Sequence, residues 1–183
     1  LLLNLPAPGG VDAAERDARQ AVELDPDFAG AHLALAGVHT ARLRWIDAEQ
    51  EYQLALAKGR YDPAILISRT TYLYSMGHKK EALRMAESAY DLAPLALPAI
   101  VNRAGSYSME GRDDIALREV NLGISMGAAT RYGLVPVVLS NAAWHGGRFD
   151  EAARYLLTSM SPGAPPAGAE RALTLAFEST QHP

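Results

Sequence analysis

The sequence contains no cysteine, and this absence excludes several kinds of chemistry at once. Disulfide bonds, thiolate catalysis and cysteine-based zinc sites all need a thiol side chain. The sequence also has no glycine-rich phosphate loop and no zinc-binding His-Glu pattern. We therefore assign no catalytic residue, no metal ligand and no cofactor, and we predict that the chain is not an enzyme.

Long apolar runs and an excess of positive charge are also missing. No stretch approaches the ~20 apolar residues that a membrane-spanning helix needs. Lysine and arginine number 17 against 21 aspartates and glutamates, a net charge of -4, so no basic surface for nucleic acid is indicated. We predict no nucleic-acid or membrane binding by this segment and take the cytoplasm as the default location.

What the sequence does contain is a repeat of 34 residues. Ala14, Ala48 and Ala82 follow this interval, Ala116 continues it, and Ala152 continues it after a two-residue slip. Other small residues recur with the same period, namely Ala21, Ala55, Ala89, Gly123 and Ser159, then Ala36, Thr70, Ala104 and Ser140, and in the turns Gly77, Gly111 and Gly147. A period of this size is typical of a solenoid built from one supersecondary unit.

Each repeat predicts two helices with small residues where they cross. In one repeat, Pro63 begins the first helix, Gly77 ends it, Lys79 to Asp91 form the second helix, and Pro94 ends the unit. Proline at a helix start and glycine just past a helix end are the expected pair of signals. Helices approach to about 8 Å only where their side chains are short, so the small columns mark the helix crossings.

We therefore predict an all-α fold, a right-handed α-solenoid of antiparallel helix pairs. The predicted array covers residues 1-163, as the second helix of a partial repeat and then units near 29-62, 63-96, 97-130 and 131-163. Proline and glycine at 162-166 predict a stiff linker to a terminal helix over 167-180, a partial repeat or cap. Counting from the alanine column places Leu1 inside a first helix, so we expect a repeat to be cut at both ends.

The column pattern resembles the tetratricopeptide repeat (TPR). The residue four places after the column alanine is aromatic or aliphatic, as in Tyr52, Val120 and Leu156. Leu-x-Pro closes two units, at residues 24-26 and 92-94. Two units depart from this ending, with Lys-Gly-Arg at 58-60 and Met-Gly-Ala at 126-128, which leaves the turn geometry there open.

Two stretches also look like repeats that follow winged-helix or cyclase domains in bacterial signalling regulators. They are residues 25-38, with Asp-Pro-Asp-Phe-Ala at the start, and residues 92-116, with Ala-Pro-Leu followed by Asn-Arg and Gly-Arg. This similarity implies that the chain is the regulatory or partner-binding segment of a larger bacterial protein, such as a transcriptional regulator or an adenylate cyclase-type signalling protein.

The TPR resemblance implies a concave groove lined by the outward-facing residues of each first helix. These positions are Leu33, Thr40, Ile67, Thr71, Tyr74, Val101, Ser108, Met109, Asn141, Trp144 and His145. None is a lysine, arginine, aspartate or glutamate, whereas TPR proteins that clamp a C-terminal carboxylate need basic donors there. We predict a protein or peptide ligand of apolar or amphipathic character. The alternative is that neighbouring repeats or the final helix cover these side chains.

The predicted function is a non-catalytic scaffold or regulatory segment, and the alternative is self-association through the repeat ends. The pattern Gly-Ile-Ser-Met-Gly at 123-127 matches a hydrolase nucleophile elbow, but the residues before it are helical in pattern. His32 and His39 are seven residues apart, too far for one metal, and are predicted to be hydrogen-bonded histidines of the core or its boundary. Arg69 and Arg103 occupy equivalent apolar columns. They are predicted to reach the boundary or to pair with a nearby acid, with Glu81 and Glu119 as candidates, and the alternative is an anion site between repeats.

Overall fold

The computed structural model describes residues 10-128, 133-160 and 167-180, without the side chain of residue 160. Within these ranges the chain forms ten α-helices and no β-strand. The helices are α1 (Gly10–Leu24), α2 (Ala29–Ala41), α3 (Trp45–Lys58), α4 (Pro63–Ser75), α5 (Lys79–Leu92), α6 (Leu97–Met109), α7 (Asp113–Ser125), α8 (Leu134–His145), α9 (Phe149–Met160) and α10 (Ala169–Ser179). The predicted all-α fold class is confirmed. The predicted helix at Leu1 and the linker at 162-166 lie outside the described residues.

Turns of three residues join the helices of each pair, α2 to α3, α4 to α5, α6 to α7 and α8 to α9. Such short turns make consecutive helices antiparallel neighbours. Three of the turns contain a glycine with positive φ, at 78° for Gly77, 71° for Gly111 and 72° for Gly147. The turn between α2 and α3 has Leu43 at the equivalent position, with φ of 58°. A leucine in this region is strained by its Cβ, which glycine lacks.

Helix starts follow from local chemistry as well. Asp62 precedes α4, and its side chain accepts a hydrogen bond from the backbone N–H of Ala64 at 2.8 Å. Pro63 occupies the first position of the helix, where its missing N–H costs nothing. Together they fix the start of α4 at the predicted residue.

The small-residue columns lie at buried helix crossings. Ala48, Ala82, Ala116 and Ala152 are all completely buried. The exception is Ala14 in α1, which belongs to the same column and is exposed. These four alanines of α3, α5, α7 and α9 are therefore buried, as the predicted helix crossings require.

The chain divides into two compact units, Leu1–Ala93 with α1 to α5 and Pro94–Pro183 with α6 to α10. We call them the N-terminal and C-terminal units. The core of the N-terminal unit contains Ala36, Ala48, Tyr52, Tyr72, Leu73 and Ala82. The core of the C-terminal unit contains Ala104, Ala116, Val120, Val135 and Val138. In the described ranges no helix combines the length and the apolar character that crossing a membrane requires.

Candidate functional site

Charge is distributed unequally between the first and second helices of the repeats. The first helices α2, α4, α6 and α8 contain only two arginines, lysines, aspartates or glutamates, which are Arg69 and Arg103. The second helices α3, α5, α7 and α9 each contain at least three. We use "inner face" for the surface of the first helices that carries the predicted groove residues. This surface is built almost entirely from uncharged side chains.

The two arginines of the first helices are both engaged with glutamates. Arg69 is 6% exposed, and its Nη2 lies 2.9 Å from Glu49 and 3.6 Å from Glu81. The Nη2 of Arg103 lies 2.7 Å from Oε2 of Glu119. Both acids predicted from the sequence are therefore partners, although the nearer partner of Arg69 was missed. A guanidinium bound in this way does not offer an anion site to a ligand.

In the N-terminal unit, the inner face carries five predicted residues on α2 and α4. Leu33, Thr40, Ile67 and Tyr74 are half-buried, and Thr71 is exposed. Leu33 and Tyr74 pack against the core cluster of the unit, so only part of each side chain reaches the surface. The hydroxyl of Thr40 donates to the carbonyl of residue 36 on its own helix at 2.8 Å. The face is thus a shallow, mainly apolar surface.

Two tyrosines beneath this face hold α3 and α4 together. The rings of Tyr52 and Tyr72 have centroids 5.0 Å apart. Tyr52 shares a 2.9 Å hydrogen bond with the hydroxyl of Ser68, and the hydroxyl of Tyr72 donates to the carbonyl of Trp45 at 3.1 Å. Burial raises the pKa of both phenols. They therefore act as neutral packing groups and form a rigid base for the surface residues.

Both histidines of α2 are buried, and the predicted hydrogen bonding is found for His32, whereas the buried Nδ1 of His39 has no hydrogen-bond partner among the described residues. The Nδ1 of His32 lies 2.7 Å from Oε2 of Glu51, and its Nε2 lies 3.0 Å from the carbonyl of Pro26. His39 is 6% exposed, and burial lowers its pKa. Across the described ranges, no group of three histidine, aspartate or glutamate side chains is placed to hold a metal ion. The residues before position 123 are helical, as predicted, and α7 continues to Ser125, so this serine does not stand in a strand-to-helix turn.

In the C-terminal unit, one predicted groove residue is wrong. Ser108 is 2% exposed, so it cannot line an open surface. Its hydroxyl oxygen accepts a hydrogen bond from Nδ2 of Asn141 at 3.0 Å, which joins α6 to α8. Val101 and Asn141 are half-buried, whereas Met109 is 45% exposed. The periodicity of α6 alone predicts an exposed Ser108, because it carries no information about α8, whose Asn141 bonds to this serine.

The end of α8 is also bonded to its neighbours. The indole N–H of Trp144 donates to the hydroxyl of Thr180, just after α10, at 3.2 Å. The Nδ1 of His145 lies 2.7 Å from Oδ2 of Asp113 at the start of α7. The rings of Trp144 and His145 have centroids 4.7 Å apart. One polar group of each predicted residue is therefore bonded within the C-terminal unit.

A cluster of charges attaches α1 to the turn after α2. Glu15 accepts from Arg19 at 2.7 Å and from Arg44 at 3.1 Å, and it lies 2.8 Å from Arg42. Arg42 also pairs with Asp12. The hydrogen bonds from Arg19 and then Arg44 lower the pKa of Glu15 from 4.5 to about 2. This carboxylate is therefore stabilised in its charged form.

No protein-family model matches the chain. The type IV pilus assembly protein PilF of Pseudomonas aeruginosa is 33% identical over 112 residues, which cover 61% of this chain and 44% of PilF. The matched stretch is thus less than half of that relative. These comparisons give no support to the predicted similarity to segments of winged-helix regulators or cyclases.

Solved structures match most of the chain at low identity. A thermophilic TPR protein of Thermus thermophilus has a TM-score of 0.69 and 18% identity, with 93% of this chain and 92% of that one covered. YrrB, a TPR protein described as having an unusual peptide-binding site, has a TM-score of 0.58 and 18% identity over 93% of this chain and 86% of its own. The bacterial relatives agree with the predicted bacterial origin. The chain therefore has the TPR fold, as the repeat columns predicted, and its relatives support the TPR-repeat family.

Proposed function

We propose that the chain is a non-catalytic binding protein that holds an apolar or amphipathic peptide or helix against its inner faces. In the TPR fold these faces form the concave side. The observation that carries the proposal is the charge distribution, because the first helices contain two charged residues and both are tied to glutamates. A ligand that meets such a surface gains most from apolar contact and shape.

Of the two inner faces, that of the N-terminal unit is the better candidate for the ligand. Leu33, Ile67 and Tyr74 each present part of an apolar side chain, and Tyr74 is an aromatic anchor of the kind that dominates binding energies. Thr71 is exposed beside them and offers a hydroxyl for orientation. In the C-terminal unit the corresponding contribution comes from Val101, Met109, Asn141, Trp144 and His145.

The relatives favour a binding role over an enzymatic one. YrrB is a TPR protein with a peptide-binding site, and PilF acts in pilus assembly. Both descriptions agree with a ligand that is a protein or peptide. We carry over neither the site of YrrB nor the partners of PilF. Nucleic acid and membranes are not proposed as ligands of this segment, and a cytoplasmic location stays a prediction.

The proposal can be tested with three labelled synthetic peptides of equal length. One has apolar residues on one helical face, the second is a scrambled version of it, and the third ends in acidic residues and a free carboxylate. Fluorescence anisotropy should show binding of the first peptide only, because the inner faces lack free basic donors for the third.

The matched variants are Ile67→Arg and Tyr74→Arg on the inner face and Gln20→Arg on the exposed surface of α1. We expect each inner-face variant to weaken binding of the amphipathic peptide at least tenfold while thermal melts by circular dichroism change little. Gln20→Arg should leave binding unchanged. Equal binding by all three proteins, or a strong fall in melting temperature for Ile67→Arg and Tyr74→Arg, would contradict the proposal.

Self-association through the repeat ends is the alternative function. Ala14 in α1 is exposed although its column is buried elsewhere, and Leu175 in α10 is 52% exposed. Both features leave apolar surface at the two end helices. This alternative replaces the first proposal if no peptide binds and if deleting residues 167-183 abolishes an association measured by sedimentation.

A further inference from the structure

The exposed side of α3 differs from the exposed side of every other second helix. It carries Ile46, Gln50, Gln53, Leu54 and Ala57, all exposed and none charged. Ile46 is 76% exposed and Leu54 is 42% exposed. These residues follow the spacing of one helix face, so they form a continuous uncharged strip, which we call the α3 strip.

The α3 strip can be compared with the equivalent positions of the other second helices. In α1, α5, α7 and α9 the position equivalent to Gln50 is always an exposed arginine, at Arg16, Arg84, Arg118 and Arg154. The position equivalent to Ile46 is always an exposed charged residue, at Asp12, Lys80, Asp114 and Asp150. Only α3 among these helices has an uncharged residue at both positions. Loss of charge is the compositional mark of the centre of a protein interface.

The charged residues that α3 does contain are mostly used inside the N-terminal unit. Glu49 pairs with Arg69, and Glu51 lies 2.7 Å from His32. Lys58 pairs with Asp27 of the turn before α2. Three of the four charged side chains of α3 are therefore paired with residues of neighbouring elements. A partner can cover the α3 strip itself without removing water from an unpaired charged group.

Apolar features lie at both ends of the strip. Beside its first end, Leu43 is 67% exposed and holds a positive φ that three other turns give to glycine. At the other end is a cleft of ≈ 790 Å³ between α3 and α5, which includes Gln53 and Ala57 of the strip. Its wall is apolar at Leu56, Leu66, Met85 and Leu92, whereas Arg60, Ser88 and Asp91 make the rest of its lining polar; Tyr61, which also lines it, is 74% exposed.

We propose that the α3 strip is the contact between two copies of this chain, packed with their α3 helices antiparallel about a two-fold axis. An uncharged strip meets an identical strip without repulsion between like charges. A glutamine amide has two N–H donors and a carbonyl acceptor. Nε2 of Gln53 donates one N–H to Oε1 of Glu49 at 2.6 Å, and its second N–H and its carbonyl oxygen can pair with Gln50 of the other copy. Self-complementarity of this kind is what a two-fold contact requires.

The antiparallel orientation follows from the two ends of the strip. α3 has 14 residues and is therefore about 20 Å long, so Leu43 and the cleft lie too far apart to contact each other within one molecule. In an antiparallel pair, Leu43 and Ile46 of each copy approach the cleft of the other. The contact is small, and we expect a weak, concentration-dependent dimer.

Sedimentation equilibrium of the unmodified chain from low micromolar to about 1 mM protein, the range where weak contacts associate, tests the proposal. We expect a monomer–dimer equilibrium. Gln50→Arg and Ile46→Asp place in α3 the residues that other second helices carry at these exposed positions, so folding should be preserved. Each should raise the dimer dissociation constant at least tenfold, and Tyr61→Ser should raise it several-fold.

Arg84→Gln in α5 is the matched control, because it changes the same column outside the strip and should leave the dimer unaffected. A monomer at every concentration, or a dimer that Gln50→Arg and Ile46→Asp do not weaken, would overturn the proposal. Deletion of residues 167-183 should not change the association, which separates this contact from one through the repeat ends. Tyr74→Arg should also leave the dimer dissociation constant unchanged. The dimer contact and the inner-face binding proposal are therefore tested independently.

Discussion

The N-terminal and C-terminal units use similar residues on their inner faces in different ways. In the N-terminal unit the hydroxyls of Thr40 and Ser75 donate to carbonyls of their own helices. In the C-terminal unit Asn141 bonds to Ser108, and Trp144 bonds to Thr180. The contrast concerns these inner-face side chains alone: Thr40 and Ser75 bond within single helices, whereas Asn141 and Trp144 bond to other elements.

The two hydrogen-bonding patterns suit two different roles of an inner face, which are binding a ligand and stabilising the unit. A side chain satisfied within its own helix leaves the surface free to accept a ligand without breaking a contact between helices. A side chain that bridges helices stabilises the unit, and a ligand must compete with that bond. On this argument the proposed ligand should bind the N-terminal unit, and we expect the inner face of the C-terminal unit to contribute more to the stability of its own unit.

The largest expected effect tests the helix crossings that support the N-terminal face. Ala82→Leu inserts three carbon atoms at a completely buried crossing and should lower the free energy of unfolding by about 1 to 3 kcal/mol. Ala14→Leu changes the same column where it is exposed and should stay within about 0.5 kcal/mol of the unmodified chain. Urea unfolding followed by circular dichroism measures both. Equal effects would show that the column does not mark crossings.

A smaller effect tests the bonds between helices in the C-terminal unit. Asn141→Ala removes the donor to the buried Ser108 hydroxyl and should cost about 1 kcal/mol. Thr71→Ala on the inner face of the N-terminal unit removes an exposed side chain and should change stability by less than about 0.5 kcal/mol. The same urea titration compares them. The contrast between the units fails if Thr71→Ala is the more harmful change.

The smallest effect concerns the attachment of α1 to the rest of the N-terminal unit. The pKa of Glu15 is about 2 in the folded chain and 4.5 ordinarily, so its contribution to stability is complete above pH 4.5 and disappears as the pH falls towards 2. Glu15→Gln should lower stability at pH 7 by less than about 1 kcal/mol, since the cluster is partly solvated. Melting curves of both proteins from pH 7 to pH 2 should converge in acid. A constant difference would exclude this role for Glu15.

Much of the fold was predictable because the repeat carries the same physical constraint several times. Pro63 and Gly77 mark the limits of α4, and the alanine column marks the crossings. The ion pair of Arg103 with Glu119 followed from a basic residue in an apolar column, since a buried cation needs a partner. Each of these inferences depends on residues close in sequence or at a fixed period.

The errors arose where a distant helix decides the outcome. Ser108 was placed on the surface because one helix cannot show that Asn141 will bond to it from α8. The main partner of Arg69 is Glu49 and not only Glu81, and the choice depends on how α3 lies against α4. The strained turn at Leu43 could have been predicted from the sequence, because Leu43 occupies the turn position that holds glycine in three other repeats.

The unequal distribution of charge also governs how a partner reaches the molecule. Fields from paired ions decay over short distances in salt, with a screening length of about 8 Å at physiological ionic strength. The first helices therefore exert no long-range attraction of their own on an approaching molecule. For the ligand proposed above, we expect encounters with that side to be unguided until the surfaces touch, and selection among partners to depend on their dissociation rates more than on their association rates.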